Sequence, residues 1–400
     1  MAQSEAAETL AYGLAGAGGR TSAWVSSSEF KVSVLHRLDQ VEATWRALSE
    51  TVESPGQNFD FVRQWTRVFA TPEADQFFIV ASYEDQPIAL LPLRRRVVGG
   101  IRVLSWFAGS HVGANAPLMD VERMRALTPH QRRMLWLAMT EAVDGSDIIS
   151  LKYVPESELF AELGEQLEAD TLYRSHFASW DDANTTQRSK SRRKHDRQQG
   201  ERLEALGAVS FEEIGNGAEA LAVLDVMFRQ RAARFVRMGV RDPFADATTR
   251  AFYDATVEAG SGVEVKLHVL RLNGEIVAVR YNIVHGDRLF CLISSMSEDE
   301  AIQVGSPGKQ CLLRVMQSVF DAGYRVFDMG VGFTDEKRHW CNEQVAVAHY
   351  YLPLTVRGWL AAKGHQGWHG LRHAIKSNAR LRGLLVSLRS RTAKVARASD

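Results

Sequence analysis

Cysteine is scarce in this chain. Three residues in 400, Cys291, Cys311 and Cys341, make an odd number with no C-x-x-C spacing. That excludes a disulfide framework and a zinc-binding cluster, predicts no metal site, and points to reduced thiols in a cytoplasmic protein. Net charge is also missing, since 48 Lys+Arg face 48 Asp+Glu. No global field is available to hold nucleic acid, and a nucleic-acid partner is not expected. No apolar run approaches the roughly 18 residues that a bilayer-spanning helix needs. Residues 1–29 are rich in Ala, Gly and Ser and lack a basic n-region, so they read as a disordered tail and not as a signal peptide.

What is present is the composition of a folded globular chain, 45% hydrophobic and 24% charged. The length predicts two domains, each able to bury its own core. Alternation and helical spacing give the order of elements. A strand starts at Phe30. A helix capped by Asp39 carries Val41, Trp45 and Leu48, and a second carries Phe59, Phe61, Trp65, Val68 and Phe69. Strands over Gln76–Tyr83 and Pro87–Arg96 flank a Glu84-Asp85-Gln86 turn. A strand over Ile101–Phe107, a helix over His130–Val143 and a buried strand over Asp147–Val154 complete the first unit.

The order then repeats. Helices over Leu221–Phe235 and Ala247–Ala259 precede strands Val263–Leu272 and Glu275–Val284, joined by Asn273-Gly274, a strong hairpin signal. A strand over Arg288–Met296, a helix from Pro307, a strand from Arg325, a short helix after Thr334 and a strand over Val345–Leu352 follow. Phe78–Leu90 aligns with Leu267–Val279, and Ala142–Ile149 with Phe320–Phe327. An offset of roughly 180 to 190 residues is a domain duplication, being far too long for a solenoid repeat. Before the later helix, only the second copy has the small-residue loop Gly305-Ser306-Pro307-Gly308-Lys309. Ser306 is an N-cap residue type, Pro307 suits the first helical turn, and the amides of Gly308 and Lys309 would face an anion.

Three patches resemble one family. They are Phe59-x-Phe61…Trp65 with Ile88-Ala-Leu-Leu-Pro-Leu93; Lys190-Ser-Arg-Arg-Lys194…Arg202-Leu203 running into Val209-x-Phe211; and Ser306-Pro307-Gly308 with Phe327-Asp328-Met-Gly330 and Lys337-Arg338-x-Trp340. Together they resemble the tandem-GNAT acyltransferases of the cellulose-biosynthesis (CelD-like) type, relatives of the Fem aminoacyltransferases, over nearly all of Phe30–Leu352. The resemblance implies an α/β (α+β) fold of two GNAT domains, each a mixed, mostly antiparallel sheet flanked by helices. Residues 30–180 would form the N-terminal unit and 181–353 the C-terminal one with the acyl-CoA site. It also implies acyl transfer from a thioester to an amine, with acyl-CoA as co-substrate and Gly305, Ser306, Gly308 and Lys309 at its pyrophosphate. The usual pattern, Gln/Arg-x-x-Gly-x-Gly/Ala, is shifted by one position in Gln303-Val-Gly305-Ser-Pro-Gly308.

Such a transfer needs a neutral amine, a held carbonyl and a proton for the departing thiolate. Asp328, at the end of a buried strand, is placed to position the amine or take its proton; it can equally cap the next loop. Tyr281 and His285 share one strand face by alternation. His285 has the intrinsic pKa of a base and also reads as a turn residue before Gly286. Tyr281 can protonate the thiolate or simply pack. Lys337 and Arg338, near a helix start, are candidates for phosphate or acceptor binding, or ordinary surface cations. Arg192 and Arg193, in the basic run Arg188–Arg197, are candidates for an anionic substrate or a solvated helix face.

Residues 354–400 are basic and amphipathic, with Trp359 and Trp368 among the apolar positions and no acid before Asp400. That suits helices lying on an anionic membrane surface, or docking across the domains. The expectation is a cytoplasmic enzyme, peripheral on the inner membrane, that acylates the amine of a cell-envelope precursor. The acceptor would be a long-chain sphingoid-type amine giving a ceramide, or an amino sugar or nucleotide sugar. The alternatives are a Fem-like transferase using aminoacyl-tRNA and a non-catalytic GNAT scaffold in exopolysaccharide synthesis.

Overall fold

A computed structural model describes Val25–Ser26 and residues 29–50, 52–164 and 166–377; expectations for residues 1–24 and 378–400 lie outside the described residues. The strands are β1 (Val25–Ser26), β2 (Phe30–Leu35), β3 (Gln76–Tyr83), β4 (Gln86–Val98), β5 (Ile101–Trp106), β6 (Leu118–Met119) and β7 (Ile148–Pro155). They continue as β8 (Gln166–His176), β9 (Val209–Ile214), β10 (Val265–Leu272), β11 (Glu275–His285), β12 (Arg288–Met296), β13 (Val326–Val331) and β14 (Glu343–Pro353). All join one mixed, mostly antiparallel sheet in the order β1-β2-β3-β4-β5-β7-β14-β8-β13-β12-β11-β10-β9, with β6 beside β4.

The duplication is visible residue by residue. Glu84-Asp85 and Asn273-Gly274 each place two successive residues at positive φ, the twist-matched hairpin geometry. Each hairpin then bulges at the equivalent point, between Ala81 and Ser82 in β3/β4 and between Leu270 and Arg271 in β10/β11. In each half a helix, Pro129–Glu141 or Pro307–Asp321, crosses over to a parallel strand, pairing β5 with β7 and β12 with β13.

The halves are sewn together by their final strands. β8 follows the first half yet pairs with β13, and β14 ends the second half yet pairs with β7; β8 and β14 also pair with each other. β8 was not expected from the sequence. The Asp39 cap is also corrected: Asp39 bonds Arg37, and the helix Glu42–Ala47 begins at Val41 with no side-chain cap.

Helices cover both faces of the sheet. One face carries a core common to the two halves, where Phe61 and Trp65 of the Phe59–Val68 helix meet Phe252 of the Ala247–Val257 helix. The opposite face has separate cores, under Pro129–Glu141 in the first half and under Pro307–Asp321 in the second. Burial of these apolar faces, at about 25 cal/mol per Å², is the main force holding the layers.

Candidate active site

β12 and β13 pair in parallel for three rungs, ending at Phe290 opposite Asp328. Beyond that rung they part, and a cavity of 340 Å³ opens between Phe290–Ser294 of β12 and Asp328–Val331 of β13. Two local features drive the separation. β12 carries a bulge at Leu292 against β11, where Tyr281 pairs with Ile293 and Asn282 with Cys291. β13 breaks register between Asp328 and Val331, with Gly330 at φ 77, a conformation that glycine takes without strain.

Lys337 holds the curl of β13. Its Nζ donates to the carbonyls of Gly330, Val331 and Gly332 at 3.0, 2.9 and 2.7 Å. It also lies 5.6 Å from the Tyr173 ring centroid. Burial lowers the pKa of its ammonium, with nearby acidic groups opposing. The expected helix over Asp335–Trp340 supplies this lysine and is capped by Thr334.

Arg174 of β8 organises the acidic wall. It lies directly across from Asp328 on one side and Glu343 on the other, so one guanidinium serves three strands. Its contacts are Asp328 at 3.0 Å, Glu53 at 2.6 Å and Glu343 at 3.4 Å. Burial opposes its charge, but the carboxylates outweigh burial and raise its pKa. Asp328 is buried and accepts the Gly330 amide at 2.8 Å. Burial pushes its pKa upward, while Arg174 pulls the other way. Asp328 and Glu53 both line the cavity, as do Pro55 and His111–Ala114 of the first half.

The far wall pairs Arg280 of β11 with Glu336 at 3.0 Å. Arg280 also reaches the Gly308 carbonyl at 3.4 Å, which ties the cavity to the start of the Pro307–Asp321 helix. Among the expected residues, the structure therefore brings Asp328 and Lys337 to the cavity. It adds Glu53, Arg280 and Glu336 to the lining, with Arg174 behind Asp328 and Glu53, none of them expected from the sequence. The signal that could have found β8 is the alternation Leu167, Ala169, Thr171.

The remaining candidates lie elsewhere. Tyr281 faces the common core, with its hydroxyl 2.7 Å from Thr256 Oγ1, and burial raises its pKa. His285 bonds the Ser49 carbonyl at 2.8 Å and approaches Asn58 at 3.3 Å. His285 is thus held against the first half and Tyr281 within the second, and neither lines the cavity. Arg192 binds Asp196 at 3.0 Å, and Arg193 donates to the carbonyls of Asn184 and Arg188. Arg338 is exposed and pairs with Asp335 at 3.4 Å.

The small-residue loop packs against the Lys190–Glu204 helix. A Cβ on Gly305 would come within 2.6 Å of Leu203 Cβ, and one on Gly308 within 2.9 Å of Met296 Sδ. Ser306 sits at φ 52 and does not cap the helix with its side chain; its hydroxyl accepts from Gln199 at 2.7 Å. The Lys309 amide donates to the Ser306 carbonyl at 3.0 Å. Among the described residues no His/Cys/Asp/Glu group is arranged to hold a metal.

Residues 190–338 match the family model described as an acetyltransferase (GNAT) domain. No curated protein matches. Among solved structures, the chain resembles FemX at TM-score 0.52 and 10% identity, covering 80% of this chain and 97% of that one. Two others are L-PGS from Bacillus licheniformis (TM-score 0.49, 13% identity, 80% and 93% covered) and a tandem GNAT protein from the clavulanic acid biosynthesis pathway (TM-score 0.41, 14% identity, 82% and 99% covered). The matched segment runs from the Lys190–Glu204 helix through β13 to Lys337 and so contains both strands of the splayed pair. Residues 190–338 carry a GNAT-type domain, and the protein is an N-acyltransferase.

Proposed function

We propose that the protein transfers an acyl group from a CoA thioester to the primary amine of a cell-envelope precursor, in the manner of the CelD-like tandem enzymes. The preferred acceptor is a long-chain amino alcohol of the sphingoid type, giving a ceramide-like amide; an amino sugar is the alternative. The observation that carries this reading is a buried carboxylate, Asp328, facing a cavity at the point where two parallel strands part. Separated strands leave backbone groups unpaired, and an extended thioester arm can take up those hydrogen bonds. The diphosphate of the donor would lie at the start of the Pro307–Asp321 helix, with Gly305, Ser306, Gly308 and Lys309 around it and the helix dipole favouring negative charge.

Asp328 and Glu53 suit an incoming ammonium. Asp328 takes one proton, the neutral nitrogen attacks the thioester carbonyl, and the C–N bond forms as the C–S bond breaks. The departing thiolate takes up the second amine proton. Lys337 fixes the strand end that carries Asp328, and Arg174 aims the two carboxylates. Residues 30–180 thus shape the acceptor side, and residues 181–353 receive the thioester. Arg188 and Arg192 both bind Asp196, which leaves less of the basic run available to a tRNA donor.

The reading extends to peripheral attachment at an anionic membrane, through the Val356–Ser377 helix and the residues after it. Thiol release tests the chemistry, with acetyl-CoA and long-chain acyl-CoA each offered to glucosamine and to a long-chain amino alcohol. Release that depends on the long donor and the amino alcohol is expected. Release only with acetyl-CoA and the sugar moves the acceptor to polysaccharide precursors, and no release with any pair overturns the CoA reading.

A further inference from the structure

The helix after β14 is docked by its small residues. Gly358 and Ala362 face the sheet, where a Cβ on Gly358 would meet the Asp147 carbonyl oxygen at 1.7 Å. Val356, Trp359, Leu360 and Lys363, at i, i+3, i+4 and i+7, share the outward side. Trp359 is 47% and Leu360 59% exposed. A helix anchored only to its own sheet would place these large apolar groups inward; this one turns them out.

The neighbouring element does the same. The tip of the β4–β5 hairpin presents Val97 at 70% and Val98 at 55% exposure. Gly99, Gly100 and Ile101 line one open groove of 450 Å³ together with Arg357, Leu360 and Ala361. Two elements distant in sequence therefore build one apolar surface, bordered by exposed Arg96, Arg357 and Lys363. The chain beyond the described residues adds further arginines, from Arg380 onward, without an acid before Asp400.

We propose that the β4–β5 hairpin tip and the outward face of residues 356–363, in the helix after β14, form one docking surface for an anionic lipid bilayer. Apolar side chains rimmed by cations are what the interface of an acidic leaflet accepts: the former enter the acyl boundary and the latter stay among the headgroups. Charge complementarity favours this occupant over a second copy of the chain, whose matching surface would be equally basic. The inference rests on the peripheral-membrane part of the proposed function, and not on its chemistry. Glu343, at one end of β14, touches the cavity network through Arg174, and the helix leaves from the other end, about 30 Å away at 3.3 Å per residue. Changes to the surface should leave the cavity intact.

The test is flotation of the full chain with vesicles of equal parts phosphatidylglycerol and phosphatidylcholine, or of phosphatidylcholine alone. The expected result is binding to the acidic vesicles, weakened by salt, and reduced about tenfold by Val98→Asp and again by Leu360→Asp. Circular dichroism, and thiol release with the long-chain donor and amino alcohol dispersed in neutral detergent micelles, should be unchanged in both variants. Wild-type binding that neither variant reduces overturns the surface and leaves attachment to the residues after 377. No binding to acidic vesicles overturns surface and membrane attachment alike, while thiol release still reports on the chemistry. Equal binding to both vesicle types, or a dimer in sedimentation that Leu360→Asp dissolves, also overturns the proposal.

Discussion

Replacing Asp328 with asparagine tests the proposed chemistry most directly. The side chain keeps its shape and can still accept the Gly330 amide, held at 2.8 Å in the native protein. It loses the charge facing Arg174 Nε at 3.0 Å. A hydrogen bond to a charged group contributes about 1.5–3 kcal/mol, but Arg174 retains Glu53 and Glu343, and one buried charge is removed. The fold should survive with a loss of about 1–2 kcal/mol. Removal of a positioned base lowers turnover by about 10²–10⁴-fold, or roughly 3–5 kcal/mol on the barrier. The pH profile separates this effect from general damage. Burial raises the Asp328 pKa, so the native carboxyl becomes a base only as pH rises above the usual carboxylate range. Wild-type kcat/KM should climb through that pKa, and the variant should lack the limb. Thiol release across pH, with urea unfolding as the control for the fold, measures both. A variant within about threefold of wild type that keeps the same limb would refute Asp328 as the base.

Other expectations follow from the same geometry. Lys337→Met removes the donor to three carbonyls and should lower the urea-derived stability by about 3 kcal/mol while loosening the cavity; an unchanged midpoint would deny it that role. Gly305→Ala brings a Cβ to 2.9 Å from Leu203 Cα, a backbone contact that cannot yield easily, and should cost about 1–3 kcal/mol in the same assay. Asp147 is held to about 2 by hydrogen bonds from Arg102. Its contribution is therefore complete above the unfolded carboxylate pKa, near 4, and is lost as pH falls toward 2. Asp147→Asn should flatten stability in that window, which stepped-pH urea titrations would show.

Local structure was far more legible than assembly. Asn273-Gly274 announced its hairpin because both residues accept positive φ, and Pro307 marked the first turn of its helix; both stand where expected. Ser306 did not behave as its residue type suggests. Packing of the Lys190–Glu204 helix over the loop draws the hydroxyl to Gln199, a tertiary preference that overrides local propensity. Tyr281 and His285 do share a strand side, and both contact groups away from the cavity. A period of two says which residues share a face and is silent on which face meets the site. Glu53, Arg174 and Glu343 escaped because their meaning comes from contacts between segments more than 100 positions apart.

The exchanged strands explain why a first copy without the glycine loop is retained. Were each half closed on itself, β8 would lie beside β7, and Arg174 would be far from Asp328. Instead β8 crosses to β13, which sets Arg174 directly between Asp328 and Glu343 in one row across three strands. β14 returns to β7 and locks the crossing in place. Glu53 then reaches the same guanidinium from the loop before the Phe59–Val68 helix, and His111–Ala114 complete the wall. The carboxylate wall is thus assembled from segments of both copies around one buried cation. Removing that cation would leave carboxylates facing one another in a low-dielectric setting, a penalty of several kcal/mol. The first copy is therefore part of the cavity and not an appendage, even though the strands that open the cavity belong to the second.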